Sequence, residues 1–151
     1  MFKLDSETAL LDTFRPRDRK KVEPPVGLKY PLIVTDYFSW LHPAGGRLFL
    51  VFAPRSGGLT TGIVFDTNGA NHVTQLCDWC HSSSTDVAML TAQFNSNKRV
   101  GVCVCGDLSC GKKLEDAANL SGRSVRPAME ALVTRMENFA RDGLNIDFTR
   151  R

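Results

Sequence analysis

The sequence contains no apolar run long enough to cross a bilayer: its longest stretches, such as Leu48-Phe-Leu-Val-Phe-Ala53, fall far short of the roughly 20 residues a spanning helix needs. It also opens without an apolar export segment, since Met1-Phe-Lys-Leu-Asp-Ser-Glu7 is already polar. Both absences predict a soluble, cytoplasmic protein with no membrane contact, in a compartment where thiols stay reduced. Catalytic signatures are missing too. The sequence has no complete Gly-x-x-x-x-Gly-Lys-Ser/Thr phosphate loop, no Gly-x-Ser-x-Gly elbow and no His-Glu-x-x-His pair. No His-x-Glu or Cys-x-Glu precedes a Pro-Cys-x-x-Cys, which excludes the arrangement of the nucleobase deaminases. An internal repeat of convincing length is absent. Charge of one sign is scarce, because 19 Lys and Arg against 16 Asp and Glu leave a formal charge of only +3. So small a surplus carries no case for nucleic-acid binding.

Cysteine, by contrast, is concentrated. All five fall between positions 77 and 110, as Cys77-Asp-Trp-Cys80, Cys103-Val-Cys105 and Cys110. Such a cluster predicts a zinc site. A disulfide framework fits less well, since an odd count leaves one thiol unpaired and a reducing compartment disfavours the bonds. Four thiolates around one dication add two negative charges and bring the total to about +1.

The elements around the cysteines can be read from periodicity and turn residues. Asp5 or Ser6 caps a short helix ending near Phe14. Arg15-Pro-Arg-Asp-Arg-Lys-Lys21 then reads as a basic linker, stiffened by Glu23-Pro-Pro25. Residues 1–29 are thus expected to form an N-terminal helix and basic arm, and residues 30–151 the main domain. Tyr30–Pro43 shows no clean period and is expected to be packed but irregular, with a helical turn around Asp36–Leu41. Its aromatic residues suit core packing better than base stacking, and a lone His42 before Pro43 suits a turn.

Strands are predicted over 47–53 and 59–65, joined by Pro54-Arg-Ser-Gly-Gly58, with a second turn at Asp66-Thr-Asn-Gly69. Another hairpin is predicted over 86–94 and 98–105, turning at Asn95-Ser-Asn97. A helix capped at Asp107 or Ser109 runs to Leu120, where Ser121-Gly122 breaks it. The last helix, 125–142, carries Val125, Met129, Leu132, Val133, Met136, Phe139 and Ala140 on one stripe, and the tail ending in Arg150-Arg151 is expected to be mobile. A CxxC turn, a hairpin and a CxxxxC leading into a helix make the layout of a treble clef. The fold class expected is α+β, a treble-clef zinc finger built on antiparallel β-hairpins with C-terminal helices.

Within that layout a CxxC turn presents two sulfurs from one loop, so Cys77 and Cys80 form one pair. Cys105 ends a strand and Cys110 enters the next helix, where the helix N-terminus stabilises anionic sulfur; they form the second pair. Strand alternation puts Cys103 on the face of Cys105 but about 7 Å further along, where it reads as a small buried hydrophobe or, alternatively, a substitute ligand. Cys77-Asp-Trp-Cys-His81 also matches the haem-attachment pattern, but that chemistry follows export. His81 could instead support the ligands or replace one. The zinc is structural: four thiolates leave no open position for catalysis, and its binding energy adds to a modest core. No enzymatic activity is expected.

These residues resemble a known family. Cys77-Asp-Trp-Cys-His81, the strand Val87-Ala-Met-Leu90, and Gly101-Val-Cys-Val-Cys-Gly-Asp-Leu-Ser-Cys110 are similar to the C-terminal treble-clef zinc finger of elongation factor G-binding proteins, the fibronectin-binding-protein or FusB-type family. That family's pattern is Cys-x-x-Cys-His, a strand, then Gly-x-Tyr-x-Cys-x-Asp-Leu-x-Cys. The likeness covers about residues 30–142. Cys103 stands at the Tyr position, and the segment before residue 30 does not supply the four-helix bundle of FusB-type proteins. The resemblance implies Cys77, Cys80, Cys105 and Cys110 as zinc ligands. It further implies binding to elongation factor G or a related translation factor, which FusB-type members help to leave the ribosome when fusidic acid has trapped it.

Exposure of polar turns suggests Lys98 and Arg99 at the hairpin tip, and Lys112 and Lys113 on the zinc-side helix, as partner contacts. The alternative function is RNA or ribosome binding, with Arg15, Arg17, Arg19, Lys20 and Lys21 as a flexible basic arm.

Overall fold

The computed structural model describes residues 1–67 and 74–149. The predicted turn at 66–69 therefore lies partly, and the Arg150-Arg151 end of the tail wholly, outside the described residues. Strand β1 (Phe2–Leu4), helix α1 (Glu7–Asp12) and a single helical turn, α2 (Pro16–Arg19), open the chain. Ser6 caps α1 by accepting the Ala9 N–H at 3.1 Å, as the sequence predicts. Strands β2 (Leu32–Val34) and β3 (Tyr37–Leu41) follow, then the hairpin of β4 (Arg47–Phe52) and β5 (Thr61–Thr67). The short strands β6 (Gln75–Leu76) and β7 (Ser83–Ser84) bracket the first cysteine turn, and β8 (Val87–Asn95) and β9 (Lys98–Cys105) form the second hairpin. Helices α3 (Cys110–Ser121) and α4 (Arg126–Asn138) come last, and a π-helical turn, Phe139–Gly143, extends α4. The fold is α+β, with antiparallel sheets and C-terminal helices. Among the described residues no helix is long and apolar enough to cross a membrane.

One five-stranded antiparallel sheet, in the order β3-β4-β5-β8-β9, organises the molecule; β1 pairs with β2 and β6 with β7 in two separate ribbons. Side chains alternate across a strand, and here both faces of the sheet are covered. Leu48, Leu50, Phe52, Ile63 and Phe65 join Leu132 and Met136 of α4 and the cysteine loops in the larger core. The alternate positions Phe49, Val51 and Val64 pack with Leu4, Leu10 and Phe14 in a second core. Gly62 makes this second layer possible: a Cβ there would lie 2.7 Å from the Phe14 ring. The Gly62 N–H also donates to Thr13 O at 2.8 Å, so backbone and ring together seat the N-terminal segment on the sheet.

Two sequence expectations require correction. Residues 36–41 do not make a helical turn, because Tyr37–Leu41 is an edge strand paired antiparallel with β4, Tyr37 opposite Phe52 and Leu41 opposite Leu48. Aromatic residues on both its faces obscure the period of two, with Trp40 lying 5.1 Å from Phe49 on one side and Tyr37 packing into the larger core on the other. Their role is packing, as expected. The basic run is not a solvated linker either. It carries α2, and Arg15 is anchored at 2.8 Å to the buried Asp18 and at 2.5 Å to Gln93 O on β8. A helical turn beginning at Pro16 satisfies both the fixed φ of proline and the buried carboxylate.

The C-terminal helices keep their predicted stop and apolar stripe, but the predicted cap of α3 is not made, since Ser109 stands at its N-cap without a side-chain hydrogen bond to the helix. Gly122 closes α3 in the left-handed region at φ 69°, and Met129, Leu132, Val133 and Met136 form the buried stripe of α4. Beyond α4, Phe148 packs edge-on against Phe52, and its carbonyl accepts the Leu59 N–H at 2.6 Å.

Candidate metal centre

The first cysteine pair sits in a tight turn between β6 and β7. The Cys77 N–H donates to Ser82 O and the His81 N–H to Cys77 O, each at 2.9 Å, and His81 adopts φ 63° to complete the reversal. The Cys80 N–H points at Cys77 Sγ at 3.4 Å, so the turn's own backbone supports the sulfur. Trp79 anchors the turn from below: it is 3% exposed and meets Phe65 and Phe139 edge-on at about 6 Å. The Asp78 N–H donates to Cys103 O at 2.8 Å, which ties this turn to β9.

The second pair comes from the end of β9 and the start of α3. Gly106 N–H donates to Asp86 O and Leu108 N–H to Cys105 O, both at 2.9 Å. Leu108, at φ 55°, turns the chain while burying its side chain almost completely. Cys110 is the first residue of α3, where free N–H groups and the helix dipole favour negative charge. Gly106-x-x-x-x-Gly111-Lys112 opens like a phosphate loop, but Lys113 stands where that pattern needs Ser or Thr, and the loop instead presents Cys105 and Cys110.

Together the four sulfurs of Cys77, Cys80, Cys105 and Cys110 lie within 4.8 Å of one another, and all four residues are buried. Cys77 and Cys110 sulfurs are 3.7 Å apart, and those of Cys80 and Cys105 3.6 Å. A tetrahedron with Zn–S bonds near 2.3 Å has edges of about 3.8 Å, so the cage fits Zn²⁺. It does not fit disulfides, whose sulfurs lie about 2.05 Å apart. Without a cation the thiols conflict: contacts with Cys105 and Cys110 pull the Cys77 thiol strongly down, while contacts with Cys105 and Cys77, together with burial, push Cys110 strongly up. A dication removes that conflict by favouring four thiolates at once.

Cys103 is not in this group. It packs half-buried against the larger core, as a small hydrophobe rather than a substitute ligand. His81 is exposed, and the contact recorded for it is its backbone N–H to Cys77.

Two contributors to the centre lie outside the cysteine pattern. Lys113 extends its ammonium to 3.1 Å from Cys105 Sγ and 3.0 Å from Asp86 Oδ1. Burial works against its charge, but those two partners prevail and hold its pKa above the ordinary lysine value. The signal was available, since Lys113 lies three residues after Cys110 on the same helical face. Tyr37 had no such signal. Its hydroxyl donates to Leu108 O at 2.6 Å and accepts the Gly111 N–H at 2.8 Å, locking the second cysteine loop to β3. Burial pushes its phenol well above the usual value.

The four suggested partner residues divide between two places. Lys112 is exposed beside the metal cage and pairs with Asp116 at 2.9 Å, while Lys113 is engaged as described. Lys98 lies at the far end of β9, 5.0 Å above the Phe94 ring, and its neighbour Arg99 pairs with Asp66. Seven strand steps, about 23 Å, separate Lys98 from Cys105.

A buried four-cysteine cage formed by a CxxC turn and a strand-to-helix loop defines a treble-clef zinc finger with structural Zn²⁺. The chain belongs to the FBP C-terminal treble-clef zinc-finger family, whose model matches residues 7–143. Its fold is also similar to that of the fusidic acid resistance protein FusC, with a TM-score of 0.57 and 24% sequence identity. That likeness covers 80% of this chain and 57% of FusC, so the chain spans little more than half of the FusC structure it matches. A comparison with curated proteins finds no match.

Proposed function

We propose that this protein is a cytoplasmic, non-enzymatic interaction module that binds elongation factor G or a related translation factor on or near the ribosome. The observation that carries this reading is membership of the FBP zinc-finger family over residues 7–143, and the FusC-like fold supports it. Cys77, Cys80, Cys105 and Cys110 serve as the four zinc ligands. With all four positions filled by thiolates the ion is a scaffold, and function falls to the surfaces it holds in place. Those surfaces are the zinc side of α3, where Lys112 is exposed and Lys113 is half-buried against Cys105, and the hairpin tip around Lys98 and Arg99. Their separation along β9 means that a single partner touching both must span the length of the hairpin.

Affinity purification from the native host, followed by titration of purified elongation factor G with the zinc-loaded chain in nuclease-treated buffer at moderate salt, tests the proposal. Direct binding without RNA is expected. Absence of elongation factor G from the purified material, together with no binding heat in the titration, would contradict it.

A further inference from the structure

The basic residues at positions 15–21 include five cations and one carboxylate, a surplus of four that exceeds the +3 of the entire chain. Folding concentrates this charge further. The one carboxylate, Asp18, is 1% exposed and satisfied by Arg15. Arg15 is itself turned inward, and Arg19 donates to Phe14 O at 3.1 Å. Arg17, in α2, and Lys20 and Lys21, in the turn just past its end, remain.

These three face an open groove of about 370 Å³ between α2 and the tip of the second hairpin, lined by Arg17, Lys20, Lys21, Gln93, Asn95 and Ser96. Half of the lining is cationic, and the remainder is neutral amide or hydroxyl. Among the described residues no carboxylate lines it and none pairs with Arg17, Lys20 or Lys21. The wall is held in place: Lys21 Nζ donates to Gln93 Oε1 at 2.9 Å and Arg17 Nη1 to Phe94 O at 3.3 Å, beside the register shift between Gln93 and Asn95. Lys98, over the Phe94 ring, adds a fourth cation at the same end of the hairpin.

We infer that this groove is a binding site for the phosphodiester backbone of RNA. Clustered cations with neutral donors and no opposing carboxylate complement a chain of phosphates. An acidic protein surface would bring fewer and more widely spaced charges. Phe94 is half-buried and capped by Lys98, so the groove offers no open aromatic platform for stacking bases. Contact is therefore with the backbone, independent of sequence, at the end of the hairpin opposite the zinc cage. This goes beyond the translation-factor reading, with which it shares only Lys98 at the hairpin tip.

Fluorescence anisotropy of the zinc-loaded full chain with a mixed-sequence single-stranded RNA tests the inference, with polyglutamate of matching length as the protein-like competitor. For three phosphates the affinity should fall roughly 20-fold between about 50 and about 200 mM salt. R17Q/K20Q/K21Q should lower the salt slope by about 2, and Lys20→Glu alone, at an exposed side chain, should weaken binding about 10-fold with zinc content and unfolding unchanged. Lys112→Gln, beside the zinc cage, should leave RNA binding as it was. No binding at low salt, unchanged binding by K20E and the triple variant, or equal competition by polyglutamate would overturn the assignment.

Discussion

Tyr37 is held by both functions of its hydroxyl, donating to Leu108 O and accepting from Gly111, one residue on each side of the Ser109-Cys110 step. Tyr37→Phe removes both bonds and leaves a part-buried carbonyl and N–H without partners. The expected loss is about 1–3 kcal/mol, read by denaturant unfolding of the zinc-loaded protein, with zinc stoichiometry unchanged. Equal stability of the variant would show that the bond pair does not hold the loop. The four cysteines were legible because ligand spacing is local: each pair spans only a few residues. Tyr37 was not, because 71 positions separate it from Leu108 and only the sheet brings them together. Cys103 falls between these cases. Strand alternation gave its face, but its depth depends on how the Cys77 turn folds over β9.

At the scale of elements, the second core depends on a missing side chain. Gly62 leaves the space into which Phe14 packs, and the Phe14 ring meets Trp40 and Phe49 edge-on at 6.2 and 6.4 Å. Gly62→Ala forces the ring away and is expected to cost about 1–3 kcal/mol, the range for overpacking. A lower unfolding midpoint, with faster exchange of the α1 amides, checks it; an unchanged midpoint would mean that the N-terminal segment does not rest on Gly62. Helices α1, α3 and α4 and all four long strands of the hairpins follow their periodicity and turn residues. Strand β3 escaped because aromatic residues stand on both of its faces and are half-buried on each, so alternation gave no contrast. Helix α2 escaped because four residues carry no period, and its stability comes from the Arg15–Asp18 contact and from Gln93 on a distant strand.

Across the whole molecule, one hairpin links two kinds of surface. Its closed end, the turn at Asn95–Lys98, meets the basic α2 segment, and its open end at Val87 and Cys105 meets the metal cage. The cage joins β6–β7, β9 and α3 within the larger core, so the ion contributes to folding as well as to local geometry. Acid works in the same direction as chelation, because protons compete with Zn²⁺ for the thiolates. The measurement that tests this account most directly is zinc content with thiol titration before and after chelation. The expected result is one zinc per chain, at most one reactive thiol, Cys103, while the metal is bound, and all five thiols reactive with loss of the cooperative fold once it is removed. A zinc stoichiometry near zero, with redox-active thiols and an intact fold, would contradict it.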